Sequence, residues 1–142
     1  MKKISLSLLS LILISCGASS TKSLEKKPLF EVLTQQSFGG ANIRFFEILT
    51  EPNEIKMLQN DAKLRNKIKP NDIQTSNFVV LNLGEKSSGG YKIGIESAVE
   101  TDKSIILTVK ESAPDPSTTV TQVFTNPYCV VKINSKKGII IK

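Results

Sequence analysis

The sequence predicts an α+β fold, mostly β: an antiparallel sheet or small sandwich with one covering helix. Three observations predict it. From residue 78 onward, short runs alternate apolar and polar residues at the two-residue period of a half-buried strand. One run, Phe78-Val79-Val80-Leu81-Asn82-Leu83, is apolar at nearly every position, as suits a central strand buried on both faces. A single stretch, residues 50–67, switches to helical spacing, so strands succeed one another with one helix inserted after the second. No internal repeat is visible.

Taken in order, residues 30–34 and 42–49 read as strands joined by the glycine-bearing hairpin loop Gln35-Gln36-Ser37-Phe38-Gly39-Gly40. In the helix, Pro52 suits the first turn, Glu51 and Glu54 complement the positive end, and Lys63, Arg65 and Lys67 complement the negative end. Its apolar stripe is thin: Ile55, Leu58 and Ala62, flanked by Met57 and Leu64. Lys69-Pro70-Asn71-Asp72 ends it, because the residue before proline is pushed out of the helical region. Tyr91, Ile93 and Ile95, then Ile105, Leu107 and Val109, mark two half-buried strands joined through Glu100-Thr101-Asp102-Lys103. Residues 120–125 are β-branched and read as a further strand. Asn126-Pro127 interrupts it, by a cis bond or an edge bend, before strands at 128–133 and 139–141. Cys129 falls in phase with Val131 and Ile133 and reads as a buried, inert thiol.

The N-terminus decides where the protein is expected to reside. Lys2 and Lys3 precede an apolar run from Ile4 to Ile14, which is too short to span a bilayer, a task requiring about 20 residues. The run closes on Leu13-Ile14-Ser15-Cys16 and resembles a bacterial lipoprotein signal. The resemblance implies a signal peptide over residues 1–15, cleavage before Cys16, and acylation of Cys16 by a diacylglyceryl group and a further chain such as palmitate. Residues 16–28, rich in Gly, Ala, Ser and Thr, then form a tether, and residues 29–142 a single globular domain. By resemblance to Gram-negative lipoproteins, Gly17 is not the aspartate that holds such proteins at the inner membrane. The expected address is the cell envelope, at the outer membrane.

Lipidation leaves Cys129 as the one free thiol, with no intramolecular partner, so stability must come from the core. Loss of Lys2 and Lys3 reduces the formal charge from +6, too little to indicate nucleic acid as a partner. Lys22, Lys26 and Lys27 follow the anchor, where anionic lipid headgroups attract them. The sequence has 0 histidines, which removes Ser-His-Asp and Cys-His nucleophiles and His-ligated metals together. A Ser-Lys pair among Ser87, Ser88 and Lys92 lacks a desolvating apolar pocket in the flanking residues. No phosphate-cradling or calcium-binding loop is present. Neither enzyme activity nor a cofactor or metal is expected.

Leu83-Gly84-Glu85-Lys86-Ser87-Ser88-Gly89-Gly90-Tyr91-Lys92-Ile93, Thr108-Val109-Lys110-Glu111 before the Pro114/Pro116 loop, and Val120-Thr121-Gln122-Val123-Phe124-Thr125-Asn126-Pro127-Tyr128-Cys129-Val130-Val131-Lys132-Ile133 stand in order. Residues 78–134, which carry these blocks, resemble the C-terminal domain of the PrcB protease-complex family. The resemblance implies a non-catalytic lipoprotein partner that stabilises or localises an exported protease. Ser88, Gly89, Gly90 and Tyr91 are candidate contacts, since two glycines before a strand permit positive φ and close approach. The competing reading is a hairpin turn with Tyr91 in the core. Pro127 and Tyr128 are a second candidate pair. Side by side with residues 112–117, these loops are distantly similar to those of chagasin-type protease inhibitors, although their spacing is closer here. A protease inhibitor and an envelope structural lipoprotein are therefore the alternatives.

Overall fold

A computed structural model of the chain describes residues 27–142. The signal segment 1–15, Cys16 and the tether up to residue 26 lie outside the described residues. The elements are β1 (Phe30–Gln36), β2 (Arg44–Leu49), α1 (Pro52–Leu58), α2 (Pro70–Thr75), β3 (Asn77–Leu83), β4 (Lys92–Glu100), β5 (Ser104–Ser112), β6 (Tyr128–Ile133) and β7 (Gly138–Ile141). They form one sheet of order β1-β6-β3-β2 and a second of order β4-β5-β7. The fold is mostly β with two short helices, the sandwich form of the predicted class.

Period-two alternation explains the layers. Val79, Leu81 and Leu83 of β3 and Cys129, Val131 and Ile133 of β6 meet Ile93, Ile105 and Leu107 from the other sheet. The opposite face of the first sheet carries Phe78, Val130, Leu33 and Leu49, covered by Ile55, Leu64, Ile68 and Ile73. β3 is buried on both faces because it lies between β2 and β6 and between these two clusters. A bulge between Val32 and Thr34 lets the consecutive residues Leu33 and Thr34 both be buried.

Three expectations need correction. The single helix over 50–67 is instead α1 followed by turns, with α2 beyond them. The Glu51 amide donates to the Glu54 carboxylate at 3.2 Å, a sound start. Past Leu58, however, Asp61 Oδ1 accepts from the Lys63 amide at 2.7 Å, a local bond that competes with helix continuation. Ala62, expected on the apolar stripe, is exposed, while Leu64 and Ile68 bury themselves from the turns. Pro70 does not merely end a helix but opens α2, where the Lys69 amide donates to Asp72 Oδ2 at 2.9 Å.

Second, residues 120–125 form no strand; only Thr125 makes a β-bridge, with Lys86. The neighbour offered to this β-branched run is a glycine-bearing loop rather than a strand edge. Third, the sheets are not wholly antiparallel, because β7 runs parallel to β5. β6 ends at the end of the sandwich where β5 begins, so the short turn 134–137 delivers β7 alongside β5 in the same direction.

Candidate protein-binding loops

Three connections meet at one end of the sandwich: residues 37–43 between β1 and β2, 84–91 between β3 and β4, and 113–127 between β5 and β6. Backbone hydrogen bonds stitch them together. Lys86 and Thr125 exchange bonds of 2.8 and 2.9 Å, the Gly89 amide donates to the Thr121 carbonyl at 2.9 Å, and the Thr125 hydroxyl donates to the Ser88 carbonyl at 2.9 Å. The Asn126 amide donates to Ser37 and its carbonyl accepts from Gly40, both at 3.0 Å. The Pro127 carbonyl accepts from the Leu83 amide at 2.9 Å.

Asn82 organises the innermost part. Its buried side chain accepts from the Ala41 amide and donates to the Ala41 carbonyl, each at 2.9 Å, and donates to the Ile43 carbonyl as well. A buried amide so fully partnered fixes the loop's path, because any displacement leaves a polar group unpaired in a dry site. Gly90 is the other fixed point. It holds φ at +91°, and a Cβ there would stand 2.6 Å from Cβ of Pro114, so both conformation and space require glycine.

The sequence-predicted candidates are thus only partly brought together. Ser88, Gly89 and Gly90 lie against residues 114–125, as the side-by-side loops require. Pro127 is buried, and no peptide bond is cis among the described residues, so the Asn126-Pro127 step is a bend. The two tyrosines part company. Tyr91 is half-buried against the inter-sheet cluster, with Lys86 Nζ 5.6 Å from its ring centroid. Tyr128 is half-buried against the helix-side cluster, beneath Gly39 and Gly40. Neither is a freely presented aromatic.

The exposed apolar groups here are others, which the sequence reading passed over. Ile43 is 71% exposed, Phe124 68%, Phe38 56% and Val123 48%, all on the stitched loops. Phe38 and Phe124 lie on loops that the Asn126 amide and carbonyl hold together through Ser37 and Gly40. Phe38 could have been noticed as an aromatic in a polar loop, which is no hairpin, because β1 and β2 lie at opposite edges of their sheet. Val123 and Phe124 were hidden by the apparent strand, and Asn82 by the apolar run around it. On the flank, Arg44 of β2 reaches Glu111 of β5 with Nη2 2.6 Å from the carboxylate and stacks 4.4 Å from the Phe46 centroid, linking the two sheets. Both partners are substantially exposed, so the pair contributes at most about 1 kcal/mol.

The Ser88 hydroxyl is turned onto the Gly89 carbonyl at 3.3 Å and Lys92 is exposed, an arrangement without an activated nucleophile. Among the described residues no group of three His, Cys, Asp or Glu side chains could hold a metal ion. Burial pushes the Cys129 thiol up to about 11. Asp115 is held below the usual carboxylate range by hydrogen bonds from the Ser117 hydroxyl and amide, an exposed turn.

The exposed large apolar groups of the loop end thus sit on two of its three connections, and others, such as Met57 of α1 and Val99 of β4, lie elsewhere on the sandwich. Residues 77–134 match the family model described as PrcB C-terminal. This span is less than half of the 142-residue chain. It runs from the first residue of β3 to just past β6, comprising the two inner strands of one sheet and the β4–β5 pair of the other. No curated protein and no solved structure matches the chain.

Proposed function

We propose that this chain is a non-enzymatic lipoprotein, anchored in the cell envelope through acylated Cys16, whose loop end engages an exported protease as an accessory, stabilising or localising subunit. The observation that carries the reading is the exposed quartet Phe38, Ile43, Val123 and Phe124 on hydrogen-bonded loops, in a chain whose residues 77–134 match PrcB C-terminal. An outer-membrane address, with no nucleic-acid partner and no cofactor, completes the proposal. It rests on the apolar run, Cys16 and Gly17, and on the mild positive charge.

Affinity capture from detergent extract, comparing the parent chain with a Phe38→Ser/Phe124→Ser double variant, tests it. A protease held by the parent and lost by the variant is the expected result. Capture of structural envelope proteins alone would overturn the protease link. A dead-end, inhibitory complex with added papain-like enzymes would favour the chagasin-like alternative. Anchoring is read separately: Cys16→Ala should abolish palmitate-analogue labelling and release the protein from the membrane fraction.

A further inference from the structure

We infer that the basic segment 63–69, together with Lys27, forms a surface that lies on anionic lipid headgroups. Lys63, Arg65, Lys67 and Lys69 fall within seven residues with no acidic residue between them, and all four are exposed. The segment is made of turns pinned to the first sheet by buried Leu64 and Ile68, so its cations are held on the outside by the apolar residues between them. Arg65 Nε donates to the Gln59 carbonyl at 3.2 Å, and Lys67 Nζ donates to the Leu33 carbonyl on β1. The second bond ties Lys67 to β1 and the first ties Arg65 to the end of α1, and each cation keeps further donors.

The row continues to the point where the described chain begins. Lys27, Lys69 and Lys132 line one concavity with Asn71, Asn134, Glu31 and Asp72. Its two carboxylates are engaged by Lys132, at 2.9 Å to Glu31 and 3.5 Å to Asp72. Asp61, two residues before the row, accepts the Lys63 amide. With three lysines against two carboxylates the groove keeps a net positive charge, and Lys27 and Lys69 pair with neither carboxylate. The Pro28 carbonyl, beside Lys27, is held by Asn134 Nδ2 at 2.7 Å, which fixes where the chain leaves toward Cys16.

The choice of lipid as occupant rests on the anchored reading above. The residues between Cys16 and Lys27 can span at most about 40 Å, so acylation of Cys16 keeps this face close to the bilayer. Each Lys or Arg brought to an anionic leaflet strengthens binding by about fivefold, an attraction that decays within a Debye length. β1 runs from Phe30, near this exit, to Gln36, at the loop end. Contact here therefore leaves Phe38 and Phe124 free for a protein.

The full chain carrying Cys16→Ala, floated with vesicles of phosphatidylcholine alone or mixed with phosphatidylglycerol, tests the surface without the anchor. The apolar segment 1–15 is common to every variant, so the readout is the preference for anionic over neutral vesicles. Addition of Lys63→Gln, Arg65→Gln, Lys67→Gln and Lys69→Gln should lower that preference roughly tenfold or more, and high salt should do the same to the parent. Because Lys67 bonds to β1, Lys63→Glu/Lys69→Glu with an unchanged thermal melt serves as a second variant. A preference unaffected by these charges, or none in the parent, overturns the assignment. So does a four-charge variant that binds vesicles normally but loses its captured protein, which would make the row a protein contact. Absence of acyl label on Cys16 in the parent chain would remove the anchor reading, not the charge-dependent vesicle binding.

Discussion

The two apolar clusters on either face of the first sheet are built differently. Between the sheets, every buried member (Val79, Leu81, Leu83, Ile93, Ile105, Leu107, Cys129, Val131 and Ile133) comes from a strand and lies within residues 77–134. On the helix side, Leu33, Leu49, Ile55, Leu64, Ile68 and Ile73 all precede that span, and four of them sit on short helices or turns. The inter-sheet members are locked by ladder hydrogen bonds within each sheet as well as by packing between the sheets. The helix-side cover bonds mostly to itself, through links such as Ile68 to Leu64 and Ser76 to Asp72. The matched span therefore carries the cooperative centre, and the preceding residues supply edge strands and a lid held by a few anchors.

The largest effect should come from the centre. Leu81→Ala or Ile105→Ala, both fully buried, should cost about 3–5 kcal/mol in denaturant melts and unfold the whole molecule. Ile68→Ala, at the lid, should cost roughly 2 kcal/mol and mainly speed hydrogen exchange of amides in 52–75. Equal protection of both regions against exchange would abolish the distinction.

High pH should act next, through the centre. An unfolded Cys129 ionises near 9.0, whereas the folded thiol keeps its proton to about 11. Within that window the unfolded chain releases a proton that the folded chain retains, so stability falls as pH rises, by roughly 2 kcal/mol in all. Lys132 acts in the same direction. Burial alone would lower its value, but the hydrogen bond to Glu31 and the charges of Asp72 and Glu31 raise it above 10.5. Its contribution is complete below 10.5 and is lost as pH climbs through the folded value. Cys129→Val should flatten the decline between pH 9 and 11, and an unaltered slope would show that the thiol is not its source.

A smaller effect should separate the lid from the sheet. Asp72 joins α2 to Lys132 on β6, and both side chains are buried. Asp72→Asn leaves Lys132 paired with Glu31, so the cost should be about 1–2 kcal/mol, with faster exchange in α2 and little change in β3. Complete unfolding would mean that the lid is part of the cooperative centre.

Legibility in the sequence followed this division only in part, since residues 120–125, inside the matched span, read as a strand that does not form. The strands of 77–134 were readable because their period-two pattern and their burial agree: Ile93 and Ile105 face the core where alternation places them. The lid was not, because helical spacing and cationic end charges over 50–67 look the same whether one helix forms or Asp61 diverts the chain into turns. At the loops, Gly89 and Gly90 could be read because glycine reports a backbone requirement directly. Phe38 and Phe124 could not, since exposure of an aromatic depends on which loops meet, and those meetings are set by Asn82 and Asn126 across many residues.

The smallest expected effect on stability is also the sharpest test of the loop surface. Phe38 and Phe124 are more than half exposed, so Phe38→Ser and Phe124→Ser should each shift stability by no more than about 0.5 kcal/mol. Tyr91→Ala and Tyr128→Ala, which strip half-buried rings from the two clusters, should each cost roughly 2 kcal/mol. Partner binding should show the reverse order, with the phenylalanine variants losing tenfold or more in affinity, about 1.4 kcal/mol, because aromatics at the centre of an interface dominate its energy. Melts and binding isotherms on the same four variants separate the two roles. If the tyrosine variants keep full stability yet lose binding, the partner sits over Gly90 and Pro127 instead of over the exposed phenylalanines.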